Sequence, residues 1–367
     1  MMNYKLLKNI DWVLLGLVIA ISCISLFVLS SSGYEPKTYS SAALRKQAFY
    51  VALGVGGFLV CTFIRVSVWK YWSYFIYGVG CAMLVGVIFY GDVGGGAQRW
   101  LDLKIVRLQP SEVMKIGLIL ALGRFLARDT APKDGYGLVD LILPGIIIGI
   151  PTALIFAQPD LGTALTLIMI SGSMLWFGGI KKKVLLLMFF TAVVIAVPVW
   201  NWGLKDYQKD RVLTFMNPEL DPLGKGYHAI QSKIAVGSGG TFGKGYKKGT
   251  QTQLRFLPEQ NTDFIFSVLA EENGFIGAFT LLSLYFFLIL RIFFIASKGD
   301  KFSTFLSFGI AAYIFWQLFV NIGMVIGILP VVGITLPLVS YGGTSVISFY
   351  ISLGLVSSVA VKRMNFK

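Results

Sequence analysis

The chain has 367 residues, of which 56% are hydrophobic and only 14% are charged, and its mean hydropathy is +0.73. This composition excludes a soluble globular domain and indicates an integral membrane protein. The formal charge of +14 does not indicate nucleic acid binding, because the basic residues are scattered at the ends of apolar segments and are not massed on one soluble face.

Apolar segments near the roughly 20 residues that cross a bilayer recur along the whole chain. They predict an all-α, polytopic membrane protein, a bundle of about ten transmembrane helices, and we treat 1–367 as a single membrane domain. The first segment follows two lysines, but no small-residue cleavage site precedes a soluble domain, so it is interpreted as a span and not as a signal peptide. The predicted spans are 11–32, 47–64, 71–90, 110–127, 138–157, 160–178, 183–202, 266–296, 303–327 and 345–361.

The distribution of basic residues predicts the orientation of the bundle. Lysine and arginine are more frequent in the short connections on the N-terminal side of the membrane than in those on the opposite side. By the positive-inside rule, both termini are expected in the cytoplasm. The connection 203–261, between spans seven and eight, is then a long outer loop. Long loops are exempt from the charge rule, and such a length is typical of a functional segment.

The fourth span opens with QPSEVMK, which places Glu112 and Lys115 on one helix face at spacing i, i+3. An ion pair at the membrane interface explains this spacing. If the pair instead faces a groove, Lys115 is a candidate for binding phosphate. In QPDLGT, between spans five and six, Asp160 is placed to cap the sixth span, and capping alone is sufficient to explain this residue.

The long connection contains GSGGTFGKGYKKGTQTQLR, residues 237–255. Backbone amides in such turns form anion nests, and Lys244 and Lys248 could hold a diphosphate there, whereas the alternative is a flexible, solvated loop. The stretch lacks the P-loop pattern, so no nucleotide is implied. Arg211 is a further candidate cation in this connection, while the lone His228 is too little to predict a metal site.

The segment PEQNTDF leads from this connection into the eighth span. Asn261 or Thr262 is predicted to cap the helix and to leave Asp263 in its first turn, where the helix dipole favours the ionised carboxylate. Asp263 then either complements the dipole or accepts a proton from a hydroxyl of a lipid-linked substrate. Glu271 and Glu272 lie roughly two turns deeper and are expected to pair with polar groups inside the bundle.

Near the C-terminus, GILPVVGITLPLVSYGGTS, residues 327–345, interrupts apolar sequence with two prolines. Irregular backbone at the membrane edge is tolerated only where it is buried in protein or lines a cavity. We predict a lipid or headgroup site here that includes Ser340 and Gly343. The alternative is that Thr344 or Ser345 merely caps the last helix.

Over essentially its whole length, the chain resembles the SEDS family (shape, elongation, division and sporulation). The resemblance rests on GGGAQRWL with LQPSE, on QPDLGTAL, on QTQLRFLPEQNTDFIFSVLAEENGFIG and on GILPVVGITLPLVSYGGTS. The third segment is more similar to the RodA branch than to the division branch, FtsW. The chain departs from the family pattern at Asn261, where histidine is frequent in the RodA branch.

The resemblance implies a peptidoglycan glycosyltransferase that polymerises lipid II into a growing glycan strand during cell elongation. The implied place is the outer face of the bacterial cytoplasmic membrane, and the implied partner is a class B penicillin-binding protein, a transpeptidase. By the resemblance, Asp263 matches the family's essential aspartate. Glu112, Lys115 and Asp160 match polar positions around its central cavity.

The chemistry of such a transfer sets minimum requirements. In an inverting transfer the acceptor hydroxyl attacks the anomeric carbon of the donor and undecaprenyl diphosphate leaves, which requires a base and positive charge near the leaving group. Asp263 is the expected base, and Lys115, Arg211, the lysines of 237–255 or a divalent cation, Mg²⁺ or Mn²⁺, could supply the charge. Two alternatives are a lipid II flippase, which polar residues inside spans also suit, and a noncatalytic scaffold for the transpeptidase.

Overall fold

In a computed structural model, the structure describes residues 10–32, 42–94, 97–102, 107–128, 135–203, 206–217, 225–257 and 259–364. Every predicted span corresponds to a helix. The ten long helices of the bundle are α1 (Trp12–Ser32), α2 (Ala42–Phe63), α3 (Val66–Tyr90), α4 (Pro110–Leu126), α5 (Ile142–Ala157), α6 (Leu161–Gly178), α7 (Lys182–Pro198), α11 (Ile265–Ala296), α12 (Lys301–Val325) and α13 (Gly343–Met364). The prediction of an all-helical polytopic membrane protein is confirmed, although α2 and α3 begin earlier than predicted.

Among the described residues, seven of these helices are long and apolar enough to cross a membrane by themselves. The other three, α4, α5 and α7, have 16 or 17 residues. At a rise of about 1.5 Å per residue they span about 25 Å, slightly less than a hydrocarbon core of about 30 Å.

The connection 203–261 contains helical segments that its glycine-rich sequence did not predict. They are α8 (Asp206–Met216), α9 (Lys225–Ser238) and the short α10 (Thr250–Gln253). A short π-helical stretch, Val199–Gly203, follows α7. The interpretation of residues 237–255 as a flexible, solvated loop is therefore wrong for α10, which is docked against α11 as described below.

A small antiparallel sheet joins α3 to α4, which a purely α-helical prediction does not include. Its strands are β1 (Asp92–Gly94), β2 (Ala97–Asp102) and β3 (Arg107–Leu108), in the order β1-β2-β3. The pairing of Leu101 with Leu108 sets the register of β2 against β3 and delivers the chain to the start of α4.

The centre of the bundle is formed by α4, α12 and α13, whose residues are mostly buried, whereas most residues of α2 and α3 are at least partly exposed. Close packing of α13 on α2 depends on glycine. A side chain at Gly54 would place its Cβ 2.5 Å from the Tyr350 ring, and one at Gly354 would place it 2.6 Å from the Phe58 carbonyl oxygen. Such small residues allow helices in a membrane to approach closely.

The chain folds so that α1 ends, and α2, α4, α6, α11 and α13 begin, at one end of the bundle, which we call the site end. Hydrogen bonds between distant segments establish this arrangement: Gln260 Nε2 donates to the Ser32 carbonyl (2.8 Å), and the Gln109 amide donates to Thr344 Oγ1 (3.2 Å). The opposite end, which we call the basic end, holds the Arg291 to Asp11 ion pair and the exposed lysines at the start of α7.

Candidate functional site

The helix that follows the Asp263 turn, α11, is interrupted along its length. Helix α11 is broken at Gly274, where φ is 65° and ψ is −162°. A break inside a membrane helix leaves backbone groups that must find other partners. Four hydrogen bonds with the glycine-rich loop supply them: Lys244 N to Glu271 O (3.0 Å), Gly245 N to Glu272 O (3.0 Å), Phe275 N to Gly240 O (2.8 Å) and Ile276 N to Thr241 O (3.2 Å).

These bonds correct one prediction. Backbone amides within residues 237–255 were expected to form an anion nest, but those of Lys244 and Gly245 donate to carbonyl oxygens of α11. A backbone N–H that is engaged in this way is not available to a diphosphate. Glycine at 243 allows the loop to approach α11 closely, because an added Cβ there would lie 2.1 Å from the Glu272 carbonyl oxygen.

Glu271 makes a second connection between the loop and α11. Its side chain is fully buried, as expected for an acid inside a span, and it has polar partners. It accepts from Lys244 Nζ (2.8 Å), Thr250 Oγ1 (3.2 Å), Gln251 N (2.9 Å), Thr252 N (3.2 Å) and Thr252 Oγ1 (3.0 Å). The two amides belong to the first turn of α10, which has no side-chain cap from its own N-cap residue, Gly249. Glu271 therefore caps α10 from another helix. Glu272 is also buried and accepts from Ser31 Oγ at 2.5 Å.

Asp263 does not lie in the first turn of a helix. Helix α11 begins at Ile265, its N-cap position is Phe264, and no side chain caps it. The prediction that Asn261 or Thr262 caps the helix is wrong. Thr262 Oγ1 instead donates to Glu259 within the preceding turn, whose carbonyl also accepts the Asp263 amide at 3.1 Å. The partly buried Asp263 thus sits on a closed turn that precedes the helix.

Two buried side chains hold this turn in place. Asn321, on α12, donates from Nδ2 to the Asp263 carbonyl (2.9 Å) and to the Ile334 carbonyl (2.7 Å). Ser340 donates to the Thr262 carbonyl (2.6 Å) and accepts from the Leu336 amide (2.7 Å). The irregular backbone predicted after α12 is present, and the Asp263 turn packs against it through these hydrogen bonds. Residues 336–340 of this segment are buried in protein, as irregular backbone at the membrane edge must be where it does not line a cavity.

The Asp160 turn reaches the same irregular segment from the other side. Asp160 caps α6 as predicted, accepting from Thr163 N (3.3 Å) and Thr163 Oγ1 (2.9 Å). A side chain at Gly162 would place its Cβ 2.9 Å from the Val332 carbonyl oxygen, and one at Gly333 would place it 3.3 Å from Asp263 Oδ2. Residues 332–334 therefore separate the start of α6 from Asp263.

The predicted ion pair of Glu112 and Lys115 is present, with Nζ 2.6 Å from Oε1. It is not an exposed interfacial pair, because the two side chains are 6% and 1% exposed. Tyr313 donates to the second carboxylate oxygen at 2.8 Å, and Lys115 Nζ lies 4.8 Å from the Tyr313 ring centre. Lys115 is enclosed by these partners, so its role as a phosphate ligand, which required the pair to face a groove, stays a prediction.

The structure gives the remaining candidates different environments. Gly343 begins α13, and an added Cβ there would lie 2.8 Å from the Tyr50 ring. Lys244 is paired with Glu271, whereas Lys248 is exposed. Arg211 belongs to α8, but its side chain lies outside the described residues.

Neither predicted cap of α13 acts as one. The Thr344 hydroxyl donates to the Arg107 carbonyl (2.8 Å) and accepts from the Gln109 amide, and Ser345 Oγ lies 3.2 Å from Thr335 Oγ1. Thr344 therefore ties the start of α13 to β3 and α4.

Burial raises the pKa of the neighbouring Tyr341 phenol, and Tyr50 adds to this effect, so Tyr341 is neutral near pH 7.

Several residues at the site were not found from the sequence. Gln47 is fully buried in α2 and contacts the 340–342 turn, donating to the Ser340 carbonyl (3.1 Å) and accepting from the Gly342 amide (3.3 Å). Arg99 lies beside Asp160, with Nε 3.7 Å from Oδ2. The available signal for Gln47, Asn321 and Tyr313 was a polar group inside an apolar span, where such groups usually face the bundle interior.

A family model described as cell cycle protein, FtsW/RodA/SpoVE, matches residues 8–365. The chain belongs to the FtsW/RodA/SpoVE family. This confirms the resemblance to the SEDS proteins. One relative of this FtsW/RodA/SpoVE protein is the peptidoglycan glycosyltransferase MrdB of Escherichia coli (strain K12), which is 40% identical over 97% of this chain and 94% of its own. Another is a probable peptidoglycan glycosyltransferase FtsW of Geobacter sp. (strain M18), 34% identical over 97% of this chain and 98% of its own.

Two solved structures share the fold of this chain. A chain of a peptidoglycan synthase complex, described for its coordination of polymerization and crosslinking, superposes with a TM-score of 0.82 and 34% identity, covering 96% of this chain and 98% of that chain. The rod shape determining protein RodA of Thermus thermophilus superposes with a TM-score of 0.72 and 28% identity, covering 96% and 97%. The fold is therefore RodA-like.

Proposed function

We propose that this protein polymerises lipid II into glycan strands during cell elongation, with Asp263 as the general base and undecaprenyl diphosphate as the leaving group. The chain is a peptidoglycan glycosyltransferase by its family and by its relatives, which bear that name at 34–40% identity. The observation that carries the finer proposal is the position of Asp263. It lies on a turn at the site end whose backbone is held by Asn321 and Ser340 while its carboxylate faces Gly333.

The geometry supports a base that is fixed in position before the substrate arrives. The carbonyls of Thr262 and Asp263, which belong to the two peptide bonds that flank Asp263, accept hydrogen bonds from buried side chains, so the turn has little freedom to move. A carboxylate held in this way accepts the proton of the acceptor hydroxyl as its oxygen attacks the anomeric carbon of the donor. The bond from that carbon to the diphosphate oxygen breaks in the same step, and the diphosphate leaves with the electron pair.

Positive charge near the leaving diphosphate is the second requirement. Lys115 is enclosed and Lys244 is paired, so we assign neither to this role. Arg99, with a side chain 26% exposed, and the exposed Lys248 retain accessible surface. A bound divalent cation would neutralise charge on the departing diphosphate.

The residues present fit a divalent cation that is held mainly by the substrate. Among the described residues, no three His, Cys, Asp or Glu side chains form a cluster. Mg²⁺ is commonly bound through one or two carboxylates together with substrate phosphates, so Asp263 and a diphosphate would be sufficient to hold Mg²⁺ or Mn²⁺.

We further propose that the site end faces the outside of the bacterial cytoplasmic membrane and that both termini lie in the cytoplasm. The exposed Lys181, Lys182 and Lys183 at the basic end support this orientation by the positive-inside rule. We also propose a class B penicillin-binding protein as partner, since a structural neighbour belongs to a peptidoglycan synthase complex that couples polymerization to crosslinking.

The test compares glycan polymer formed from labelled lipid II by wild type, Asp263→Asn and Glu259→Gln, each purified with the transpeptidase and assayed with Mg²⁺ or Mn²⁺. Glu259 is an exposed acid on the same turn, so Glu259→Gln controls for loss of negative charge. We expect polymer from wild type and Glu259→Gln, and none from Asp263→Asn, although all three bind lipid II. Equal polymer from Asp263→Asn would refute the assignment of the base. Absence of polymer from wild type would favour a flippase or a scaffold.

A further inference from the structure

We propose that Asn321 is a positioning residue for Asp263, because its buried carboxamide clamps the carbonyls of Asp263 and Ile334 and thereby fixes the carboxylate against the irregular segment. The inference rests on the proposed function, in which Asp263 is the base. It assigns Asn321 no contact with the substrate.

The clamp consists of two hydrogen bonds donated by one nitrogen atom, Asn321 Nδ2. Asn321 Nδ2 lies 2.9 Å from the Asp263 carbonyl oxygen and 2.7 Å from the Ile334 carbonyl oxygen, which are both ordinary hydrogen-bond lengths. The primary amide has two N–H donors, one for each carbonyl. The side chain of Asn321 has no solvent exposure, so both bonds are shielded from competing water.

The Asp263 carbonyl that accepts this bond lies before the start of α11. The helix starts only at Ile265, and the Ser267 amide donates to the Phe264 carbonyl at 3.0 Å. The Asp263 carbonyl therefore belongs to the turn and not to the regular hydrogen-bond ladder of the helix. Holding this carbonyl restrains the backbone at residue 263, and with it the position of the Cβ atom from which the carboxylate extends.

The second carbonyl defines what the carboxylate faces. Ile334 follows Gly333, which has φ of 75° and whose added Cβ would lie 3.3 Å from Asp263 Oδ2. By binding residue 334 and residue 263 together, Asn321 sets the spacing between the carboxylate and this glycine. Small displacements of a reacting group reduce the rate of chemistry steeply even when substrate binding is unchanged.

The alternative is that Asn321 only stabilises the fold. The two roles differ in kinetics: a positioning role lowers kcat and leaves KM nearly unchanged, whereas partial unfolding lowers the amount of active protein and with it lipid II binding.

The variants that test this are Asn321→Leu, which has a similar shape and no donor, and Asn321→Ser, which keeps one short donor. The matched control is Gln317→Met, because Gln317 is a buried amide one turn earlier on α12.

The measurement is the rate of polymer formation against lipid II concentration, with the folded fraction taken from lipid II binding at saturation. We expect kcat per folded molecule to fall by about tenfold to a hundredfold in Asn321→Leu, with KM within about twofold of wild type and Asn321→Ser between the two, as for loss of reacting-group alignment. Gln317→Met should retain the wild-type kcat.

An unchanged kcat per folded molecule in Asn321→Leu would overturn the positioning role while the proposed function stands. Loss of lipid II binding in both Asn321 variants would also overturn it, in favour of a purely structural role. If wild type and Gln317→Met make no polymer, the proposed function fails, and the inference fails with it.

Discussion

The ammonium group of Lys244 lies 2.8 Å from a carboxylate oxygen of Glu271, and this pair joins the glycine-rich loop to the interior of a membrane helix. Glu271 is fully buried and also caps α10 through the amides of Gln251 and Thr252. The loop is thereby docked on α11, the helix that follows the turn carrying Asp263. A stretch that resembled a solvated anion-binding loop is in this way packed against a helix of the bundle.

Removing the cation of this pair should loosen the loop. Lys244→Met leaves a buried carboxylate without its charged partner, and we expect a loss of about 1–3 kcal/mol, less than the cost for a fully buried pair because Lys244 is 27% exposed. The exposed Lys248→Met is the matched control and should lie within about 0.5 kcal/mol of wild type. Thermal unfolding in detergent and protease cleavage within 239–257 measure the effect. Equal stability of the two variants would contradict the docking role.

Gly274→Ala should disrupt the helix break and the loop that fills it. The residue has φ of 65°, and an added Cβ would lie 2.3 Å from the Gly243 amide nitrogen and 2.6 Å from the Thr241 carbonyl oxygen. These atoms belong to backbone and cannot move aside cheaply, so we expect destabilisation of more than about 4 kcal/mol, as for other severe backbone clashes. Expression level and thermal stability provide the readout. Gly86→Ala, on α3 with open space around it, should be tolerated, and equal behaviour of the two variants would refute this account.

Substitutions of Glu112 and Lys115 should have non-additive effects on stability. Lys115→Met leaves the Glu112 carboxylate buried beside Tyr313 without its cation, and breaking a buried pair costs about 3–5 kcal/mol. The double change Glu112→Gln with Lys115→Met removes both charges and should be more stable than Lys115→Met alone. A double-mutant cycle of thermal stabilities measures the coupling. Simple additivity would show that the two charges do not interact.

Gly333→Ala should lower the polymerisation rate by more than its cost in folding stability explains. Residue 333 has φ of 75°, which costs a non-glycine residue about 1–2 kcal/mol, and its Cβ would lie 3.3 Å from Asp263 Oδ2. We expect the polymerisation rate to fall at least about tenfold, because the carboxylate is displaced. The control is Gly342→Ala, where the nearest atom to an added Cβ is 3.6 Å away. Similar rates for both variants would show that the spacing at Gly333 is unimportant.

The sequence by itself determined the features that depend on neighbouring residues. Apolar segments of membrane-spanning length located all ten helices of the bundle, because crossing a bilayer requires about 20 apolar residues in a row. The cap at Asp160 and the pair of Glu112 and Lys115 also follow from spacing along a single helix, and both are present. The family motifs pointed to the same segments that the structure brings together at the site end.

Only the tertiary structure decided how those segments meet. The start of α11 after Asp263, the clamp by Asn321 and the docking of the loop at Gly274 each join residues that are far apart in the chain. Local propensity favoured a capped helix at Asn261 or Thr262, but contacts with residues 321–340 hold the backbone in a turn there. The physical reason is that buried polar groups must find partners wherever the fold supplies them, and those partners cannot be identified from sequence spacing alone.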